Sequence, residues 1–215
     1  MIEITKITKT YRKGDDVFTA LENVSFEITK GDFISVFGPS GSGKSTLLNT
    51  IGGLIHPDSG DVLYNGKSLY NDGIDLDLFR KKEIGFMFQQ FHLMPYLTIY
   101  DNIRLACYER KQIEKTDHFL DKTSLTLLKY KYPSELSVGE KQRTAFIRAI
   151  ITNPALLLAD EPTGNLDQGN TGILLSLISE YQQNGGTVVV VTHDPLVTKY
   201  ANRKIELNKG KVIAN

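Results

Sequence analysis

The chain has 215 residues, enough for one large domain, or one domain with a small appended lobe, around a real core. Its 25 Lys+Arg balance 25 Asp+Glu, which leaves no net field to draw nucleic acid or an acidic membrane as the main partner. The one cysteine, Cys107, excludes an internal disulfide; residues 1–30 hold no apolar run of signal-peptide length, and the longest apolar runs (155–159 and 188–191) are far short of a membrane span. The expectation is a cytosolic protein that needs another chain to supply spanning helices if it works at a membrane.

In chain order, residues 2–10 alternate as a strand, Gly14-Asp15-Asp16 reads as a loop, and residues 24–28 read as a second strand. Residues 32–37 form an apolar, β-rich run that leads into Gly38-Pro39-Ser40-Gly41-Ser42-Gly43-Lys44-Ser45-Thr46. This segment fits the phosphate-loop pattern GxxxxGK[ST], with Gly38, Gly43, Lys44 and Ser45 on its fixed positions. Glycines let the backbone curl so that successive N–H groups point into one anion-binding concavity. Lys44 can then reach the β- and γ-phosphates and the Ser45 hydroxyl can ligate Mg²⁺. Residues 45–49 open a helical pattern, so a helix N-terminus also faces the phosphates. Strand, loop and helix together predict that the chain binds a nucleoside triphosphate.

Residues 61–64 run into Asn65-Gly66, a strong hairpin signal. Residues 70–77 read as a polar, mobile loop and 84–88 as a short strand. Residues 99–132 are charged, with apolar positions Phe119, Leu120, Leu125, Leu127 and Leu128 at helical spacing, and read as an inserted helical lobe. A helix is expected from near Ser137 to about Thr152, ending at Asn153-Pro154. There follow a buried strand (156–159), a helix (170–183), a strand (187–192), a short helix and a closing hairpin around residues 208–210. Continuous apolar strands alternating with helices predict a parallel sheet covered on both sides.

The strand at 155–159 ends in Asp160-Glu161. A buried strand brings Asp160 to the sheet edge that carries the phosphate loop, where it can hold Mg²⁺. Glu161 is expected to alternate to the other side and to polarise an attacking water. Ser137-x-x-Glu140 is a capping box, with Glu140 reaching back to the Ser137 N–H. The segment 90–97 is unusually apolar for a loop. It reads either as buried under the helical lobe or, the favoured reading, as an exposed groove for a partner.

Leu136-Ser137-Val138-Gly139-Glu140-Lys141-Gln142-Arg143 resembles the signature motif of ATP-binding-cassette (ABC) ATPases, usually written LSGGQ, and the resemblance extends over essentially the whole chain. Tyr11 stands where the family stacks an aromatic on adenine. Residues 88–90 resemble the Q-loop, with Gln89 as the lining glutamine, 162–167 the D-loop, and 191–194 the segment of the switch histidine, His193. Taken alone, Tyr11 reads as a packed strand residue and His193 as a structural histidine; their order and separations carry the resemblance. The wording Asp-Glu-Pro-Thr-Gly-Asn-Leu-Asp looks most like the subgroup serving macrolide export, lipoprotein release and cell division.

This resemblance implies a phosphate-loop α/β core of ABC type with an N-terminal antiparallel β region and an inserted α-helical lobe. The core and β region would comprise residues 1–88 and 154–215, and the Q-loop and helical lobe residues 89–153. It implies ATP and Mg²⁺ as ligands, with Ser45, Gln89 and Asp160 serving the metal. Glu161, His193, Gln89 and Lys44 would be catalytic, and Tyr11 with the whole loop from Gly38 to Thr46 would hold the nucleotide. A second copy would pair head to tail, its Ser137 and Gly139 meeting the γ-phosphate, and an integral-membrane permease would hold the chain on the inner membrane face. No nucleic-acid partner is implied. Val138 and Glu140 depart from the family pattern, and the expectation is a weakened trans contact with slower turnover. A soluble non-transport cassette and a nucleotide-gated module of weak catalysis are the alternatives.

Overall fold

A computed structural model describes residues 1–214. Strands β1 (Ile2–Lys13) and β2 (Asp16–Ile28) pair antiparallel through a two-residue turn at Gly14-Asp15, tighter than the expected loop, because β2 already begins at Asp16. β4 (Ser59–Tyr64) pairs with the other edge of β1, and Asn65-Gly66, both at positive φ, turn it into β5 (Lys67–Ser68). Two left-handed residues match the strand twist that a tight hairpin needs. The resulting four-stranded sheet, order β2-β1-β4-β5, is the expected antiparallel region.

The second sheet has six strands in the order β10-β9-β3-β8-β7-β6. Its members are β3 (Phe33–Phe37), β6 (Ile84–Met87), β7 (Leu156–Asp160), β8 (Thr187–Thr192), β9 (Arg203–Asn208) and β10 (Lys211–Ala214). The five from β9 to β6 run parallel, and β10 closes an antiparallel hairpin on β9. All six residues of β8 are buried, which is why its sequence is apolar without alternation.

Helix α1 (Lys44–Ile51) packs Leu47, Leu48 and Ile51 between the two sheets, in one core with Ile4, Ile7, Val36 and Val191. On the opposite face α6 (Val138–Ile150) and α7 (Gln168–Gln183) bury Phe146, Leu174, Leu175 and Ile178 against Phe33, Val188 and Val190. Each fully buried aliphatic side chain contributes about 1.5–3 kcal/mol of transfer free energy. Between β6 and β7 a third cluster joins α6 to α3 (Ile99–Arg104) and α5 (Thr116–Lys122) through Ile99, Ile103, Leu120, Leu125 and Ile147, with α4 (Arg110–Glu114) lying between α3 and α5 in the chain. The segment also holds 3₁₀ turns at Thr126–Leu128 and Pro133–Glu135. Leu127, assigned to the apolar spacing, is 96% exposed, because the 3₁₀ turn rotates it away from the cluster.

The segment 70–77 is not the free loop its polarity suggests. The Tyr70 hydroxyl donates to the carbonyls of Thr50 and Ile55, and helix α2 (Leu76–Glu83) begins within it, capped by Asp75. Short polar helices carry too little periodicity to be read from sequence. Helix α8 (Pro195–Tyr200) completes the fold, and among the described residues no helix is long and apolar enough to cross a membrane.

Candidate nucleotide site

The parallel sheet aligns its chemistry along one edge. Phe37 pairs with Thr192, Asp160 with Val191, and Met87 with Ala159, so the residues that follow β3, β6, β7 and β8 emerge side by side. In open α/β sheets this carboxyl edge is where ligands bind. Here it forms a cleft of about 620 Å³, lined by Gly38, Pro39, Ser40, Gly41, Gly43, Lys44, Ser45, Thr46, Gln89, Asp160, Glu161 and His193, with Tyr11, Phe18 and Ala20 from the antiparallel sheet.

The loop from Gly38 to Gly43 is shaped by close backbone approach. A Cβ on Gly43 would collide with the Ala20 carbonyl, and Gly43 itself sits at φ 103. The Lys44 ammonium folds back over the loop and donates to the carbonyls of Gly38 (2.8 Å) and Pro39 (3.0 Å). Ser42 is a partial correction to the expected set. Its side chain is buried away from the cleft, with Oγ unpartnered, and its carbonyl accepts from Gly210 N, so it acts on the loop's shape.

The Ser45 hydroxyl donates to Asp160 Oδ1 at 3.1 Å. Burial pushes the Asp160 carboxyl above its ordinary range and Glu161 adds to this, while the Ser45 hydrogen bond and Lys44 oppose it. A cation beside Asp160 would offset the desolvation, and with Gln89 lining the same cleft the donors are hard oxygens. Few protein ligands, all oxygen, suit Mg²⁺, which keeps several waters and is shared with phosphates. The residues fit that ion, although among the described residues no group of three His, Cys, Asp or Glu forms a metal cluster.

Glu161 does not alternate to the opposite face. Its backbone turns left-handed (φ 46) immediately after β7, which brings it into the same cleft as Asp160. Its Oε1 lies 2.9 Å from His193 Nδ1, and its Oε2 accepts from Thr192 Oγ1 (3.2 Å) and His193 N (3.3 Å). Glu161 and His193, distant in sequence, therefore form one unit.

Tyr11 is 41% exposed at the rim. Phe18, directly opposite it across the β1–β2 ladder, is 57% exposed and lines the cleft as well. Phe18 escapes sequence reasoning because its role depends on cross-strand register. The strand that carries Tyr11 is held by Asp58, which accepts from Lys9 Nζ (2.8 Å), Thr10 N (2.6 Å) and Thr10 Oγ1 (2.6 Å). Those bonds draw the Asp58 carboxyl down to about 2.

Ser137 and Gly139 do not line the cleft. They sit at the N-terminus of α6, where the capping box forms as expected: Glu140 Oε2 accepts from Ser137 N at 2.7 Å and Ser137 Oγ from Glu140 N at 3.3 Å. Gly139 packs so closely on Asn170 that a Cβ would overlap Asn170 Oδ1. Val138 is 42% exposed beside them.

In the apolar segment 90–97, Phe91, Leu93 and Leu97 are half-buried and Met94, Pro95 and Tyr96 are exposed. Two side chains hold its backbone. Arg148 donates to the carbonyls of Phe91 and His92, each at 2.6 Å, and the buried Asn102 exchanges hydrogen bonds with Met94, Leu97 and Thr98. Beside it lies a groove of about 500 Å³ lined by Phe86, Phe88, His92, Leu105, Cys107, Tyr108 and Arg148, among others.

Residues 21–164 match the ABC transporter family. The chain is 42% identical over 219 residues to the ABC transporter ATP-binding protein YxdL of Bacillus subtilis, covering 99% of this chain and 85% of that one. It is 40% identical over 206 residues to the lipoprotein-releasing system ATP-binding protein LolD of Buchnera aphidicola, covering 93% and 90%. Its fold matches the dimeric post-hydrolysis structure of the ATP-binding cassette MJ0796, from Methanocaldococcus jannaschii, bound to ADP and Pi. That match has a TM-score of 0.90 at 36% identity, over 100% of this chain and 97% of that one.

Proposed function

This chain belongs to the ABC transporter family, and we propose that it is an ATP-hydrolysing subunit that pairs with a second copy of itself to drive a separate membrane permease. The observation that carries the reading is the convergence, in one cleft, of the phosphate loop, the Ser45–Asp160 pair and the Glu161–His193 pair. The loop N–H groups and Lys44 bind the phosphates, exchanging the Gly38 and Pro39 carbonyls for phosphate oxygens. Tyr11 offers its ring to the base. Ser45, Asp160 and Gln89 would hold Mg²⁺, which supplies positive charge against the phosphate oxygens when bound.

Glu161 accepts a proton from water at its carboxylate as the water attacks the γ-phosphorus, and ADP and phosphate are the products. His193 orients Glu161 and contacts the γ-phosphate. The dimeric state of the cassette to which this fold is similar supports pairing of two copies. In this reading they pair head to tail, so that Ser137 and Gly139 at the α6 N-terminus meet the nucleotide of the other copy. Residues 1–88 and 154–215 act as the catalytic core with its β region, and residues 89–153 as the helical lobe. The exposed side chains of the segment 90–97 and the groove beside it are the permease contact, which keeps the chain on the inner membrane face.

The test is Mg-ATP turnover by the purified chain beside Glu161→Gln, with assembly followed by light scattering. Turnover in the parent and an ATP-trapped dimer in Glu161→Gln are expected; equal turnover in both overturns the assignment of Glu161. For the permease, a charge at the exposed Met94 abolishes co-purification while ATP binding persists, and unchanged co-purification removes that contact.

A further inference from the structure

The end of β8 holds a hydroxyl with a fixed direction. Thr192 is fully buried, and its Oγ1 lies 2.9 Å from Asp194 N and 3.2 Å from Glu161 Oε2. A backbone N–H can only donate, so Oγ1 accepts from Asp194 and its single proton is left for Glu161. Asp194 is itself immobilised. Its Oδ1 accepts from Leu196 N (2.8 Å), capping α8, and its Oδ2 accepts from Thr163 Oγ1 (2.9 Å). Thr163 lies two residues beyond Glu161 in the turn closed by Gly164 N to Glu161 O (3.2 Å). The hydrogen bonds thus form a ring, from Glu161 through Thr192, Asp194 and Thr163 back to the turn that carries Glu161.

We infer that Thr192 is a positioning residue for Glu161, aiming its carboxylate into the cleft through this ring. The inference rests on the reading of Glu161 as the base. Glu161 needs such a support because its left-handed backbone puts it outside the strand geometry that orients Asp160. Its backbone is anchored to β8 by Glu161 N to Val191 O (2.9 Å), and Thr192 anchors the side chain to the same strand. His193 also contacts the carboxylate, its N–H on Oε2 at 3.3 Å and its ring on Oε1 at 2.9 Å. That N–H is held to one oxygen by the backbone and the ring is 71% exposed, whereas the Thr192 hydroxyl is a buried side-chain donor.

The test compares the parent with Thr192→Val, Thr192→Ser, Thr163→Val and Glu161→Gln, measuring kcat, KM, the affinity for a fluorescent ATP analogue and the lifetime of the ATP-bound dimer. Valine keeps the shape of threonine and removes the donor. We expect Thr192→Val to lower kcat by roughly ten- to a hundredfold, the scale of a misplaced catalytic group. KM and analogue affinity stay within about twofold, and the ATP-bound dimer lives longer. Serine restores kcat to within about threefold of the parent, and Thr163→Val, which breaks the ring at its far side, lowers kcat in the same direction by less. Parental kcat in Thr192→Val, or loss of kcat and nucleotide affinity together, overturns the inference, the second outcome marking a merely structural hydroxyl. Glu161→Gln separates the two levels. Parental turnover there overturns the base assignment itself, whereas an inactive Glu161→Gln beside a fully active Thr192→Val overturns only the role of Thr192.

Discussion

Replacing Asn102 with alanine should loosen the segment after Gln89 without touching the nucleotide cleft. The Asn102 side chain is fully buried; its Oδ1 accepts from Met94 N at 2.7 Å, and its Nδ2 donates to the carbonyls of Met94, Leu97 and Thr98 at 3.0–3.1 Å. An amide nitrogen has two hydrogens, so the three carbonyls share the equivalent of two bonds, giving about three net hydrogen bonds. At about 1 kcal/mol each they contribute about 3 kcal/mol. Water can reach part of the freed backbone, since Met94 is 37% exposed, and alanine is the better helix former in α3 by about half a kcal/mol. The expected loss is about 2–2.5 kcal/mol. Urea unfolding read by far-ultraviolet circular dichroism measures it, with chymotrypsin cleavage within residues 90–97 as a local probe. Asn102→Asp keeps the acceptor but sets a carboxylate against three carbonyls, and should be worse than alanine. A loss below about 1 kcal/mol, with Asn102→Asp equal to the parent, refutes the reasoning.

Gly139→Ala places a methyl on Asn170 Oδ1 and displaces the side chain that accepts from Arg143 (2.9 Å) and donates to Asp167 (2.7 Å). Overpacking of this kind costs about 1–3 kcal/mol. ATP-driven pairing measured by size-exclusion chromatography should fall, while nucleotide affinity of the single chain is kept. Asp58→Asn should show a pH-dependent loss. The Asp58 carboxyl is drawn from 3.8 to about 2 in the folded chain, so its stabilisation is fully present above pH 3.8 and disappears as pH falls toward 2. The gap in urea midpoint between parent and Asp58→Asn therefore closes over that window, and a constant gap contradicts the assignment. Val138→Gly should raise turnover and strengthen ATP-driven dimerisation severalfold, on the order of 1 kcal/mol, by removing β-branched bulk at the α6 N-terminus. No change in either would count against the altered signature as a brake.

The phosphate loop, the capping box at Ser137 and the Asn65-Gly66 turn were legible in the sequence because each is a local contract between neighbouring residues and the backbone. The apolar strands ending in Asp160 and Thr192 were legible for a related reason: a strand buried on both faces tolerates almost nothing polar, so its boundaries are written in composition. Other features needed the assembled sheet. Phe18 joins the cleft only through its register with Tyr11, and Glu161 joins Asp160 only because its backbone turns left-handed where strand alternation predicts the opposite face. The ring through Thr192, Asp194 and Thr163 links residues 31 positions apart, and Asn102 and Arg148 grip a segment that sequence pattern shows merely as apolar. Local chemistry determined which groups this chain would bring to a nucleotide. The direction each side chain takes depends on hydrogen bonds between separate strands and helices, and only the tertiary structure decides those.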